Sequence, residues 1–152
     1  MSPEALTPQK SLNIYSSLLI TASIAILWLV PAFASGGHDG PLGTGVMGGV
    51  SIIALTSTII APMLYGWYSP DRTGAVLIGV LPFLLVTGIS RIISGNRPPG
   101  TDYLIYSVFY IVLLSLAGGL EGYFASKKSV GSLSISLLLA LAWTGIFFSG
   151  IR

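Results

Sequence analysis

Two charged side chains lie inside otherwise apolar segments of this chain, Arg91 and Glu121, and any chemistry is expected to start from them. Arg91 stands three residues before Ser94, about 4.5 Å from a helix end at 1.5 Å per residue. A cation at the centre of a bilayer costs on the order of 3 kcal/mol on insertion scales and is normally paired or functional. From this depth, however, a guanidinium can snorkel to the headgroups. Its expected partners are Thr87 one turn earlier, Asp102 across the following loop, a lipid phosphate or a substrate anion. In that loop Pro98 and Pro99 stiffen the backbone beside Asn96 and Arg97, which could present themselves to an anionic headgroup or a partner protein. Arg91, Asn96, Arg97 and Asp102 are therefore the ligand or lipid-headgroup candidates. Glu121 lies between Gly118 and Gly122, three residues from the opposite end of its own segment. An interfacial ion pair with Lys10, Arg72 or Lys127 is the plain expectation, and a proton-carrying carboxylate the sharper one. Arg91 and Glu121 belong near opposite membrane surfaces and are not expected to pair.

Other chemistry finds little support. The chain has no cysteine and one histidine, which excludes disulfides, thiolate nucleophiles, bis-histidine haem and multi-histidine metal sites. His38 beside Asp39 could relay a proton, but two ligands do not make a metal site, and a solvated loop histidine is the simpler reading. Gly43-x-Gly45-x-x-Gly48 has the form of a dinucleotide fingerprint without the strand and βαβ unit that motif requires. No Ser-His-Asp set, paired catalytic carboxylates, zinc-ligand spacing or phosphate loop is present. We assign no catalytic residue, metal or cofactor, and the reading leans away from an enzyme.

The elements that must position these residues follow from composition. Of 152 residues 53% are hydrophobic and 8% charged, with a mean hydropathy of +0.85, whereas soluble domains carry roughly 25% charged residues. So few charges cannot clothe a water-soluble surface. The net charge of +2 is scattered over connections and forms no basic patch, so nucleic acid is not an expected partner. Apolar segments at about 12–34, 46–68, 70–94, 102–124 and 130–149 are each long enough for a ~30 Å hydrocarbon core. The expected fold is all-α, a single-domain integral membrane bundle of five transmembrane helices. It becomes four if residues 1–34 are a cleaved signal peptide, as Lys10, the apolar run 18–30, Pro31 and Ala32-Phe33-Ala34 would allow. Asn13, Ser17 and Thr21 fall on one helical face suited to packing, so the segment is expected to be retained.

Smaller signals mark the joints. Gly45-x-x-x-Gly49 and Gly118-x-x-x-Gly122 are expected to let neighbouring helices approach closely. Ser69-Pro70-Asp71-Arg72 reads as a helix start with Ser69 as N-cap and Pro70 at the first helical position. Pro82 should kink its helix.

Gly88-Ile-Ser-Arg91-Ile-Ile-Ser94-Gly95, followed by Pro98-Pro99 and another apolar span, resembles the third helix and Gly/Pro turn of an uncharacterised family of small four-helix bacterial membrane proteins, over about residues 45–124. The resemblance implies a fold and no activity. That family carries a carboxylate inside the helix after the turn, where this chain has Ser107-Val-Phe-Tyr110, and this chain adds a fifth span. A fainter similarity links Gly37-His38, Pro41, Gly48-Gly49 and Gly100-Thr101 to a small subunit of multisubunit cation/proton antiporters.

Lys10, Arg72, Lys127 and Lys128 fall on one side of the bundle, and Arg91, Arg97 and Arg152 on the other. The positive-inside rule then puts the N-terminus in the cytoplasm, in a prokaryotic plasma membrane if the resemblance holds. The expected function is that of a non-catalytic accessory or assembly subunit or lipid-associated membrane protein. Its partners would be lipid, another membrane protein or a second copy. The alternative is a transporter, or a subunit of an ion- or proton-translocating complex, using Glu121 or Arg91.

Overall fold

In hydrocarbon every backbone N–H and C=O must find a partner within the chain, so long Leu/Ile/Ala/Val runs have helices as their only open solution. A computed structural model describes residues 8–34, 45–93 and 101–149. They form five helices, α1 (Pro8–Ala34), α2 (Gly45–Tyr68), α3 (Arg72–Ile93), α4 (Thr101–Ala125) and α5 (Val130–Ser149), with no strand among the described residues. Each contains an apolar stretch long enough to cross a membrane. Several hydroxyls return their proton to the preceding turn of their own helix, as in Thr56 to the Ile52 carbonyl, Thr58 to Ala54 and Thr87 to Phe83, each at 2.8 Å. These threonines need no external partner.

The α2–α3 turn differs from the expected one. The Ser69 hydroxyl accepts the Asp71 N–H at 3.1 Å, and the first helical bond of α3 runs from Ala75 N–H to the Asp71 carbonyl at 3.2 Å. Asp71 is the capping residue, and Pro70 stays outside the helix. The local Ser69 turn wins because it satisfies the Asp71 N–H before the helix begins. At the other hairpin, Lys128 takes a left-handed φ of 53°. Ser129 and Ser132 then exchange backbone-to-hydroxyl bonds at 3.2 Å that cap α5.

Helix α2 touches each of the other four, α1 lies against α2 and α3, and α4 lies between α3 and α5. Polarity is inverted relative to a water-soluble bundle. Ser17, Thr21, Ser51, Glu121 and Ser136 are buried, while Leu19, Ile52, Leu84, Phe109 and Leu138 point outward. Large apolar residues outside and small polar ones inside suit a solvent that is itself hydrocarbon.

The two ends of the bundle are built differently. At the end carrying the short α2–α3 and α4–α5 turns, backbones meet directly. A Cβ at Gly118 would strike Gly79, one at Gly122 would strike Ala75, and one at Gly66 would lie 2.6 Å from the Gly122 carbonyl oxygen. Toward the opposite end the space is filled by rings. Trp143 stacks on Phe147 at 5.3 Å, Phe147 meets Trp28 at 5.5 Å, and Phe83 abuts Trp143 edge-on at 6.2 Å. The Trp28 indole N–H also donates to Thr58 Oγ1 at 2.9 Å, tying α1 to α2. Gly45-x-x-x-Gly49 does not act as the sequence suggests, since a Cβ at Gly49 would meet nothing within 4 Å.

Candidate functional site

Glu121 precedes the end of α4 by four residues, about 6 Å along the axis, yet it is only 1% exposed. Two features account for this. Helical side chains lean toward the helix N-terminus, so near the C-terminal end of α4 this carboxyl leans into the bundle, toward Ala117. The flanking Gly118 and Gly122 also bring α3 and α2 onto the α4 backbone, closing the gap through which a longer spacing would admit solvent.

Of the three cations expected to pair with it, two are placed away from it, and the side chain of the third, Lys10, lies outside the described residues. Arg72 is exposed, the Lys127 ammonium lies 4.8 and 4.9 Å from the ring centres of Tyr123 and Phe124, and no ion pair holds the carboxyl among the described residues. Its Oε1 is buried with no hydrogen-bond partner. An orphaned polar atom of this kind costs free energy that the fold must offset elsewhere.

Two hydrogen bonds fix how α5 passes this residue. Tyr110 Oη donates to the Phe147 carbonyl at 2.7 Å and Ser136 Oγ to the Glu121 carbonyl at 2.9 Å. The spacing is eleven residues on both helices, so one antiparallel register holds, and it sets Ala117 level with Ala140. Contacts of Gly79 with Gly118 and of Ala75 with Gly122 likewise set α3 and α4 in one register, with Val76 level with Glu121. The chain path runs α2 and α4 in the same direction, and counting from the contact of Gly66 with Gly122 puts Thr58 near the level of Leu114. Glu121 shares a stripe with Tyr110, Leu114 and Ala117, on the side of α4 that faces α2 and α5.

The other orphaned atoms lie elsewhere. Ser115 Oγ sits about 120° round α4 from Glu121, on the α3 side, while Thr21 Oγ1 belongs to α1 and Asp71 Oδ2 to the cap of α3. Arg91 stands in the last turn of α3 and Asp102 in the first turn of α4, at the opposite end of the bundle. The α3–α4 register separates Arg91 from Glu121 by about 22 Å along the axis. Asn96, Arg97 and His38 fall outside the described residues. No three His, Cys, Asp or Glu residues cluster among the described residues. The chain matches no family model, curated protein or solved structure.

The sequence reading did not find Ser136 or the small-residue level beside the carboxylate. Its signal was the four-residue repeat Ser132, Ser136, Ala140 in α5, all buried, which marks a face made for close approach.

Proposed function

We propose that this is an integral protein of a prokaryotic plasma membrane that carries one positive charge, a proton or a monovalent cation, across the bilayer by way of Glu121. The observation that supports it is the buried carboxyl with an unpartnered oxygen inside a bundle of membrane-spanning length. An ionisable side chain at such a site is too costly for packing alone and serves transport or ligand binding by default. The prokaryotic assignment rests on the family resemblance, and a cytoplasmic N-terminus on Lys10, Arg72, Lys127 and Lys128 sharing one side.

Two experiments test this. In proteoliposomes of the purified full chain, an imposed membrane potential should drive proton, sodium or potassium uptake, read with a dye for each ion. Glu121→Gln preserves shape and removes the charge, and it should abolish that uptake. Equal uptake by the variant, or none by the natural chain, would sink the reading. For orientation, a cysteine in place of the exposed Lys127 should resist an impermeant thiol reagent in intact cells and react after permeabilisation. Labelling in intact cells would reverse the topology.

A second reading, an accessory or assembly subunit or lipid-associated protein, draws support from Gly49, Gly88 and Gly145, where a Cβ would meet nothing within 4 Å. Such outward backbone admits a helix of another chain closely. A stoichiometric partner retained in mild detergent, with no ion uptake by the natural chain, would favour it.

A further inference from the structure

Three groups, one each on α2, α4 and α5, offer lone pairs, and with Glu121 ionised none of them offers a proton. The first is Glu121 Oε1, buried and unpartnered. The second is Ser136 Oγ, fully buried on α5, whose single proton goes to the Glu121 carbonyl at 2.9 Å. Toward the carboxylate this hydroxyl can only accept. The third is the carbonyl of Thr58. Pro62, buried in α2, has no N–H, so the carbonyl four residues before it loses its helical donor. Carbonyls point toward the helix C-terminus. From Thr58, near the level of Leu114, this one is directed toward the level of Ala117 and Glu121. Ala117 and, across on α5, Ala140 are small, buried residues at one level.

When the Glu121 carboxyl is ionised, these acceptors need a positive partner. We propose that Glu121, Ser136 and the Thr58 carbonyl form a binding site for one monovalent metal cation, stripped of most of its water. The proposal rests on the Glu121 reading above and names its cargo. One carboxylate balances one positive charge, whereas a divalent ion such as Ca²⁺ usually recruits several anionic oxygens, and no acidic cluster exists among the described residues. A carboxylate joined by a hydroxyl and by a carbonyl released from its helix is a donor set suited to an alkali cation within a membrane.

The test uses the purified full chain in detergent, unfolded thermally in sodium, potassium or choline chloride at equal ionic strength. A ligand that binds only the folded state raises its stability with concentration. Sodium or potassium should therefore raise the midpoint in a saturating way that choline does not reproduce. Glu121→Gln should remove the difference. Ser136→Ala should raise the half-effective concentration roughly tenfold, equivalent to about 1.4 kcal/mol. Pro62→Ala restores an N–H to the Thr58 carbonyl, so it should stabilise the cation-free protein while weakening the cation effect by a similar factor. A Pro62 that only shaped the helix would leave that effect unchanged. Absence of any alkali-specific stabilisation in the natural chain, or its persistence in Glu121→Gln, overturns the site. If proteoliposome uptake still depends on Glu121 in that case, a proton is the cargo and the transport reading stands. Cation stabilisation without uptake would leave the site standing and remove transport.

Discussion

Gly118→Leu should abolish the folded bundle. A Cβ at this position would lie 3.1 Å from the Gly79 carbonyl carbon and 3.3 Å from its Cα, with the carbonyl oxygen closer still. All three are backbone atoms, so no rotamer change relieves the clash. Core overpacking typically costs 1–3 kcal/mol because side chains yield. Here α3 and α4 must separate along their whole contact, which also breaks the approach of Gly122 to Ala75. We expect a loss above about 4 kcal/mol, in the range reserved for disrupted cores. Gly49→Leu is the matched control, since that position opens outward, and it should change stability by no more than about 0.5 kcal/mol. Reversible unfolding in mixed SDS micelles, followed by circular dichroism, reads both. Similar stabilities for the two variants would show that the glycine crossing does not hold the bundle together.

Trp143→Ala should cost about 3–5 kcal/mol, as expected for a fully buried indole. Trp143 is 1% exposed, stacked on Phe147 and edge-on to Phe83, and Phe147 passes the contact on to Trp28 in α1. Helices α1 and α5 meet through these rings. Lipid tails are as apolar as this cluster, so its stabilisation comes from packing contacts. Leu141→Ala, on the outward face of the same helix, should stay within about 0.5 kcal/mol. If Trp143→Ala proved equally mild in the same micelle titration, the ring cluster would be filling space without joining the helices.

The five helices were legible because an apolar run of membrane length leaves the backbone one way to satisfy itself, and Gly118-x-x-x-Gly122 was legible because small residues one turn apart announce a crossing. Glu121 was read at the right axial position, but its burial inside the bundle was not legible. Counting residues to the helix end measures axial distance alone. It ignores the lean of the side chain toward Ala117 and the lateral closure by α2 and α3, both of which depend on neighbours remote in sequence. The same limit applied at Gly49, where a spacing fit for contact faces outward because α2 turns its other side to its four neighbours. Ser69 and Asp71 compete for one capping role with similar chemistry, and only the chain path of the turn decides between them. The role of Ser136 required the α4–α5 register, which rests on a pairing of Tyr110 with Phe147 that no local pattern encodes.

The backbone contacts at Gly66, Gly79, Gly118 and Gly122 also have a genetic consequence. Every glycine codon begins GG, and each single-base missense change from it leads to alanine, valine, serine, cysteine, arginine, aspartate, glutamate or tryptophan. All of these carry the Cβ that another backbone excludes at the four positions. Point mutation therefore offers no tolerated step there, whereas outward sites such as Leu138 or Ile52 can exchange freely among apolar residues. Divergence in this chain should accumulate on its outward-facing surface and be barred at these four codons.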